Sequence, residues 1–212
     1  MKSQSQIYIK KSQRGYSLIE LSIVLAIIAV IIAGAVFGVQ AILRANNVNK
    51  TISQTNTAAN KIIAKLIRDP NYANATTQNL TRLGQDVWDS QYVSSTAGTV
   101  ENPFNGSVFV QPLSAAEGGL AINEGFVYTL TQIPVSVCSD VAAGVEGLGT
   151  ALRINNETTD AAKTTVITNG TGTLIKDLNA NVQYSYSTAA TACAGSGTIT
   201  QQASIWFLVP RR

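Results

Sequence analysis

The residues with the most distinctive chemistry stand near the N-terminus, in the run Arg14-Gly15-Tyr16-Ser17-Leu18-Ile19-Glu20. The small residue Gly15 ends a basic segment and offers a possible proteolytic cleavage point. Glu20 is the only acid before 23 uncharged residues, Leu21–Leu43. A helix needs about 20 residues to cross a bilayer, so this run is long enough, and the lone carboxylate at its start has to be explained.

The composition argues against an enzyme. The 212-residue chain contains no histidine, which is the commonest general base and metal ligand. It also has no glycine-rich phosphate loop, nucleophile elbow or cysteine pair at metal-binding spacing. Two acid pairs, Asp86 with Asp89 and Glu117 with Glu124, are conceivable catalytic pairs, but solvated surface acids are the favoured interpretation. We therefore expect no catalytic activity, no cofactor and no metal.

The net charge of +3 comes from the N-terminal segment. Lys2, Lys10, Lys11 and Arg14 are its only charged residues, and from Tyr16 onward the net charge is −1. This distribution predicts no nucleic-acid surface. It does predict that the N-terminus stays in the cytoplasm while the chain crosses the membrane.

Two ordinary interpretations of this N-terminal segment are incomplete. A secretory signal peptide has an apolar core of about 7 to 15 residues followed by a cleavage site, and the run here is longer. A signal anchor accounts for the topology but leaves Glu20 without a role.

The arrangement Arg14-Gly15 followed by Tyr16 to Leu21 resembles the processing site of type IV pilins and pseudopilins. The resemblance implies that a prepilin peptidase cuts after Gly15 and that the new amine of Tyr16 is methylated. Glu20 then becomes the fifth mature residue and pairs with the amine of a neighbouring subunit, which sets the stagger of a helical filament. Tyr16 departs from the Phe, Met, Leu or Val usual at that position.

The rest of the chain predicts an α+β fold, with a long N-terminal helix packed on an antiparallel sheet. Apolar residues spaced by three and four continue past Arg44, which predicts one helix over about 16–67, apolar in its first half and amphipathic in its second. The expected domains are a leader, 1–15, a transmembrane and filament-core half-helix, 16–43, and a globular domain, 44–212.

Local patterns predict further elements of the globular domain. Asn102-Pro103-Phe104-Asn105-Gly106 is a turn signal, and a short helix should follow Pro134 and carry Cys138. Ile205–Val209 is apolar on both faces and should be a central strand. A short helix is predicted over Thr81–Trp88, and strands over Ser107–Val110, Gly125–Ile133, Thr164–Thr168, Asn181–Tyr186 and Ala203–Val209.

The chain has two cysteines, Cys138 and Cys193. In a domain exported across a membrane, an isolated pair is expected to form one disulfide. The alternative is two unpaired thiols in a reducing compartment.

Within the pilin family that the chain resembles, a structural subunit of a type IVb-like pilus is favoured, because the leader and mature chain are long and the cysteines enclose a large C-terminal segment. The implied partners are copies of the same chain, the prepilin peptidase, the inner-membrane assembly machinery and, before assembly, the membrane. The expected location is the inner membrane for the precursor and an extracellular pilus after assembly. The alternatives are a pseudopilin of a type II secretion-like system, a minor pilin or adhesin and, from another class, a membrane-anchored periplasmic enzyme.

Replacement of Gly15 by a bulky residue should block cleavage, because the resemblance places the cut directly after this glycine. Uncut precursor is then expected in the membrane, which mass measurement of the purified protein will detect. Mature protein that begins at Tyr16 in this variant would reject the site.

Overall fold

The computed structural model describes residues 17–83, 86–94, 98–157, 172–195 and 202–211. The chain divides into two units, Met1–Leu43 and Arg44–Arg212. The proposed cleavage point, Gly15 and Tyr16, and the strand predicted over Thr164–Thr168 lie outside the described residues.

Helix α1 runs from Leu18 to Leu66 and confirms the predicted long helix. In its second half one face is buried in the globular unit, with residues at three- and four-residue intervals, as an amphipathic helix requires. The helix ends shortly before Pro70, which cannot continue it because proline has no backbone N–H. The buried residues are Val48, Thr51, Thr55, Ala58, Ala59, Ile62 and Leu66.

The globular unit is built on a six-stranded sheet in the order β1-β2-β3-β6-β4-β5, and each of its five strand pairings is antiparallel. This confirms the predicted α+β architecture. The strands are β1 Val100–Glu101, β2 Ser107–Pro112, β3 Gly125–Pro134, β4 Ala151–Glu157, β5 Thr173–Asp177 and β6 Gln202–Pro210.

Strand β6 lies between β3 and β4 and has both faces buried, so its predicted central position is confirmed. Ile205, Phe207 and Val209 join the main hydrophobic core, which also contains the buried face of α1. Trp206 and Leu208 point to the other face and pack in a smaller cluster. The uninterrupted apolar run reflects these two layers, because alternate residues of a strand face opposite sides of the sheet.

The Asn102–Gly106 segment forms the predicted turn. The Asn102 side-chain oxygen accepts hydrogen bonds from the backbone N–H groups of Phe104, at 2.8 Å, and Gly106, at 3.2 Å. Its side-chain nitrogen donates to the Thr131 carbonyl at 2.8 Å. Asn105 has a positive φ of 63°, a conformation that asparagine tolerates better than most residues. The turn is thereby fastened to strand β3.

Helices α3, Val135–Val145, and α4, Tyr186–Ala194, pack against each other. The helix expected after Pro134 is confirmed, and Cys138 lies on its buried face. The strand predicted over Asn181–Tyr186 is wrong: Asn181 has a positive φ of 57° in a turn.

The start of helix α4 explains this difference. The Ser185 hydroxyl accepts from the Thr188 N–H at 3.5 Å as the N-cap of α4, and the following alanines favour a helix. These local preferences override the alternation of apolar residues before Tyr186.

The other differences concern short elements. The helix expected over Thr81–Trp88 is instead α2, Thr77–Leu83, followed by a 3₁₀ turn over Ser90–Tyr92. The sequence predicts no strand at β1, β4 or β5. The polar residues Arg153, Asn155 and Asn156 hide the strand pattern of β4.

Gly106→Ala should lower the free energy of unfolding by more than about 2 kcal/mol, because a Cβ on Gly106 would lie 1.9 Å from the Thr131 carbonyl oxygen. Gly147→Ala is the matched control, since its Cβ would meet nothing within 4 Å. Denaturant unfolding of both variants measures the difference. Equal stability of the two would contradict the packing described for the turn.

Candidate functional site

The first half of α1 carries the largest exposed apolar surface in the described structure. Sixteen large apolar side chains between Leu18 and Leu43 are each at least 44% exposed. Among the described residues, α1 is the one helix long and apolar enough to cross a membrane, and none of its most apolar window is buried. Burying one such side chain contributes about 1.5–3 kcal/mol, so this surface requires lipid or another protein surface around it.

Glu20 lies in the first turn of α1. A negative charge is favourable there because the backbone N–H groups of that turn point toward the helix start. The same turn is organised by Ser17, whose carbonyl accepts from the Leu21 N–H at 3.1 Å. Its hydroxyl accepts from the Ile19 N–H at 3.4 Å.

Glu20 has no ion-pair partner within the part of the chain that the structure describes. The next basic residue along the helix is Arg44, about 36 Å further at the helical rise per residue. The carboxylate is therefore free to meet a cation outside the described residues.

Gly34 and Gly38 lie one helical turn apart on the same half of α1, and nothing comes within 4 Å of a Cβ built on either. Small residues at this spacing allow two apolar helices to approach closely. The sequence and the structure are compatible with close helix packing here.

Cys138 of α3 and Cys193 of α4 form the predicted disulfide. Both residues are fully buried, and the Cα atoms are 5.9 Å apart. The bond joins two helices that are 55 residues apart in sequence. The Cys193 carbonyl also accepts a hydrogen bond from the Asn156 side chain at 2.5 Å, which ties α4 to strand β4.

Tyrosine and acidic side chains surround the contact between α3 and α4. The Tyr186 hydroxyl donates to the Asp140 carboxylate at 2.8 Å, and the Tyr184 hydroxyl donates to the Ser139 carbonyl at 3.4 Å. The pKa of Tyr184 is raised to about 12, mainly by burial. The neighbouring Tyr186, Glu146 and Asp140 also contribute to this rise. The phenol is therefore protonated and available as a donor at any physiological pH.

Three of the four acids considered as catalytic pairs, Glu117, Glu124 and Asp86, have structural contacts. The Glu117 carboxylate pairs with the Arg153 guanidinium at 2.8 Å, and that guanidinium lies 5.7 Å from the centre of the Trp206 ring. The Glu124 carboxylate accepts from the Ala121 N–H at 2.8 Å. Asp86 pairs with Lys65 at 2.9 Å.

One important contact could not be found from sequence. The Arg211 guanidinium donates to the Asp69 carbonyl at 2.6 Å and also to the Pro70 carbonyl, so the C-terminal end of β6 is fastened to the turn that follows α1. The two sites are 142 residues apart, and no local pattern links them.

Comparisons with known proteins identify the family of this chain. Residues 10–36 match the prokaryotic N-terminal methylation motif. The chain is 30% identical over 176 residues to the major structural subunit of bundle-forming pilus from Escherichia coli O111:H-. The match covers 77% of this chain and 88% of that relative. The chain belongs to the type IV pilin family.

The corresponding pilin of Escherichia coli O127:H6 is similar to the same extent, at 30% identity over 176 residues. Among solved structures, TcpA, a type IV pilin from Vibrio cholerae El Tor biotype, aligns with a TM-score of 0.48 at 16% identity, covering 77% of this pilin and 98% of TcpA. The type IVb pilin from Salmonella typhi aligns with a TM-score of 0.45 at 16% identity, covering 75% and 97%.

Cys138→Ser should destabilise the globular unit of this pilin by about 4 kcal/mol, the value that the chain-entropy model assigns to a loop of this length. Denaturant unfolding measures the effect, and reduction of the unmodified protein should reproduce it. Ser136→Ala, on the exposed side of the same helix, is the control and should change stability by less than about 0.5 kcal/mol. Unchanged stability of Cys138→Ser would show that the bridge does not constrain the fold.

Proposed function

We propose that this pilin is the structural subunit of a type IVb-like filament, released from its leader by cleavage between Gly15 and Tyr16. The exposed apolar half of α1 carries the proposal, because it is the surface that a copy of the same helix would cover. The methylation motif spans Gly15, Tyr16 and Glu20, and the relatives in Escherichia coli are major pilus subunits.

Before assembly, the precursor is held in the inner membrane by residues 16–43, with its four positive leader charges in the cytoplasm. The prepilin peptidase removes residues 1–15 on that side, and the amine of Tyr16 is methylated. The globular domain, 44–212, lies outside the membrane. The inner-membrane assembly machinery then moves the mature subunit from lipid into the filament.

Glu20 guides this transfer in our proposal. A carboxylate at bilayer depth costs about 2.5–3.5 kcal/mol on insertion scales, so a partner in the apolar filament core is strongly favoured. The positive amine of Tyr16 on a neighbouring subunit supplies that partner. Because only one acid lies in the apolar segment, a single axial offset between neighbouring helices places that acid next to its partner amine.

The direct test is to shear cells that express the chain and to measure the intact mass and N-terminal sequence of the released material. The proposal requires this chain to be the dominant protein and to begin with methylated Tyr16. Retention in the periplasm would favour a pseudopilin, and trace amounts within a filament of another protein would favour a minor pilin or adhesin.

Glu20→Ala should still insert and be cleaved but should yield far fewer filaments, because the charge that sets the stagger is lost. The amount of sheared filament relative to total mature protein measures the effect. Ser22→Ala, in the adjoining helical turn, is the matched control, since its uncharged hydroxyl donates to the Ile19 carbonyl of its own helix at 2.8 Å. Normal filament yield from Glu20→Ala would contradict the role proposed for Glu20 in assembly.

A further inference from the structure

Gly34 and Gly38 lie in the apolar half of α1 without a reason within the described part of the chain. Glycine is less favourable than alanine inside a helix, because it loses more backbone freedom on folding. Neither glycine has a positive φ, and a Cβ on either would meet nothing within 4 Å. A helix that approaches α1 from another chain would supply the reason for both glycines.

The positions of these glycines match the position of Glu20. Eighteen residues separate Glu20 from Gly38, which is about five turns at 3.6 residues per turn. Because α1 is one continuous helix over these residues, Glu20 and Gly38 lie on the same face of it. Gly34 lies one turn earlier and about 40° around the helix axis from Gly38.

The large apolar side chains on this face are stiff. Within about 40° of Glu20 around the axis, each large apolar residue of positions 21–43 is branched at Cβ. A helix already holds such side chains near one rotamer, so they lose little freedom when another surface packs on them. The leucines of the same half-helix lie at about 100–160° from Glu20 instead. The β-branched residues are Val24, Ile27, Ile31 and Ile42, and the leucines are Leu18, Leu21, Leu25 and Leu43.

The offset of the proposed filament fits the spacing of the glycines. A pair between Glu20 and the Tyr16 amine of a neighbouring subunit offsets two parallel helices by four residues, about 6 Å along the axis. The same offset brings Gly38 of the first helix level with Gly34 of its neighbour, because the two glycines are also four residues apart. One alignment therefore pairs the opposite charges and places glycine beside glycine.

We propose that each subunit packs on a second, parallel copy of the chain along the α1 face that carries Glu20 and Gly38, with Gly38 against the neighbour's Gly34. Glycines in contact let the two axes approach more closely than the roughly 8–10 Å usual for helix pairs. The β-branched side chains then pack around this contact. The inference rests on the proposed filament, and it adds which face of the helix meets the neighbouring subunit.

Cysteine cross-linking in assembled filaments tests this contact. Gly34→Cys and Gly38→Cys pilins are expressed together with the unmodified pilin, so that assembly does not depend on either variant. Sheared filaments are oxidised with copper phenanthroline, and non-reducing electrophoresis measures covalent dimers. Cys138 and Cys193 are already joined within each subunit. We expect about fivefold more dimer from this mixture than from either variant alone, because a disulfide requires Cα atoms closer than about 7 Å.

The opposite side of the same helix provides the matched control. Ala29 and Ala33 are also four residues apart, but they lie about 140–180° around the axis from Glu20. Pilins with Ala29→Cys and Ala33→Cys, expressed together in the same way, should give no more dimer than either variant alone.

A second measurement uses side-chain size. Gly38→Leu should still insert and be cleaved, because leucine is favourable in a bilayer. It should lower the yield of sheared filament about tenfold, because the added side chain overpacks the contact. Ala29→Leu, on the opposite side of the helix, should assemble like the unmodified pilin.

The outcomes separate this inference from the proposed function. Normal filaments without excess dimer from Gly34→Cys with Gly38→Cys would overturn the proposed face and leave the filament intact. Equal dimer from the Ala29 and Ala33 pair would also overturn it, as would equal filament yields from Gly38→Leu and Ala29→Leu. Absence of filaments from the unmodified pilin would contradict the proposed function itself, and this inference with it.

Discussion

The structure of this pilin depends on keeping the apolar half of α1 out of water. Its large side chains between Leu18 and Leu43 are exposed in the single chain, and the hydrophobic effect makes that surface unfavourable in proportion to its area. A bilayer and a bundle of identical helices are both suitable surroundings. In our proposal, a subunit is therefore stored in the membrane and later moved into a filament without refolding this segment.

In the proposed assembly, the single carboxylate of Glu20 limits how the apolar surface can be covered. Apolar contacts alone are not directional and tolerate many alignments of two helices. A charge that needs one specific partner distinguishes between those alignments, as buried polar groups do when they select one register in helical assemblies. In our proposal, apolar area supplies most of the driving force for assembly, and Glu20 selects the geometry.

The globular unit is stabilised by contacts between positions far apart in sequence. The Cys138–Cys193 bridge joins α3 to α4, the Arg211 guanidinium holds the turn that follows α1, and the Glu117–Arg153 pair lies over Trp206. These contacts span different parts of the sheet and its connections. They stabilise the globular unit through contacts within the unit itself.

Sequence patterns predicted the parts of the structure that have strong local or compositional signals. The helix over residues 18–66, the strands β2, β3 and β6, the Asn102 turn and the disulfide all belong to this class. The strand expected over Asn181–Tyr186 was wrong because a serine N-cap and an alanine-rich segment favoured a helix. Strand β4 was missed because its polar residues find partners only in the folded structure, as Arg153 does with Glu117. The assembly role of Glu20 and the cut after Gly15 remain predictions.

The most direct measurement is an electron cryomicroscopy reconstruction of the sheared filament at a resolution that shows side chains. Our account predicts a central bundle of helices 18–43, with the Glu20 carboxylate within about 4 Å, ion-pair distance, of the N-terminal amine of Tyr16 on a neighbouring subunit. A filament held together by its globular domains alone, with these helices apart, would contradict the account. So would a helical core in which Glu20 faces only apolar side chains.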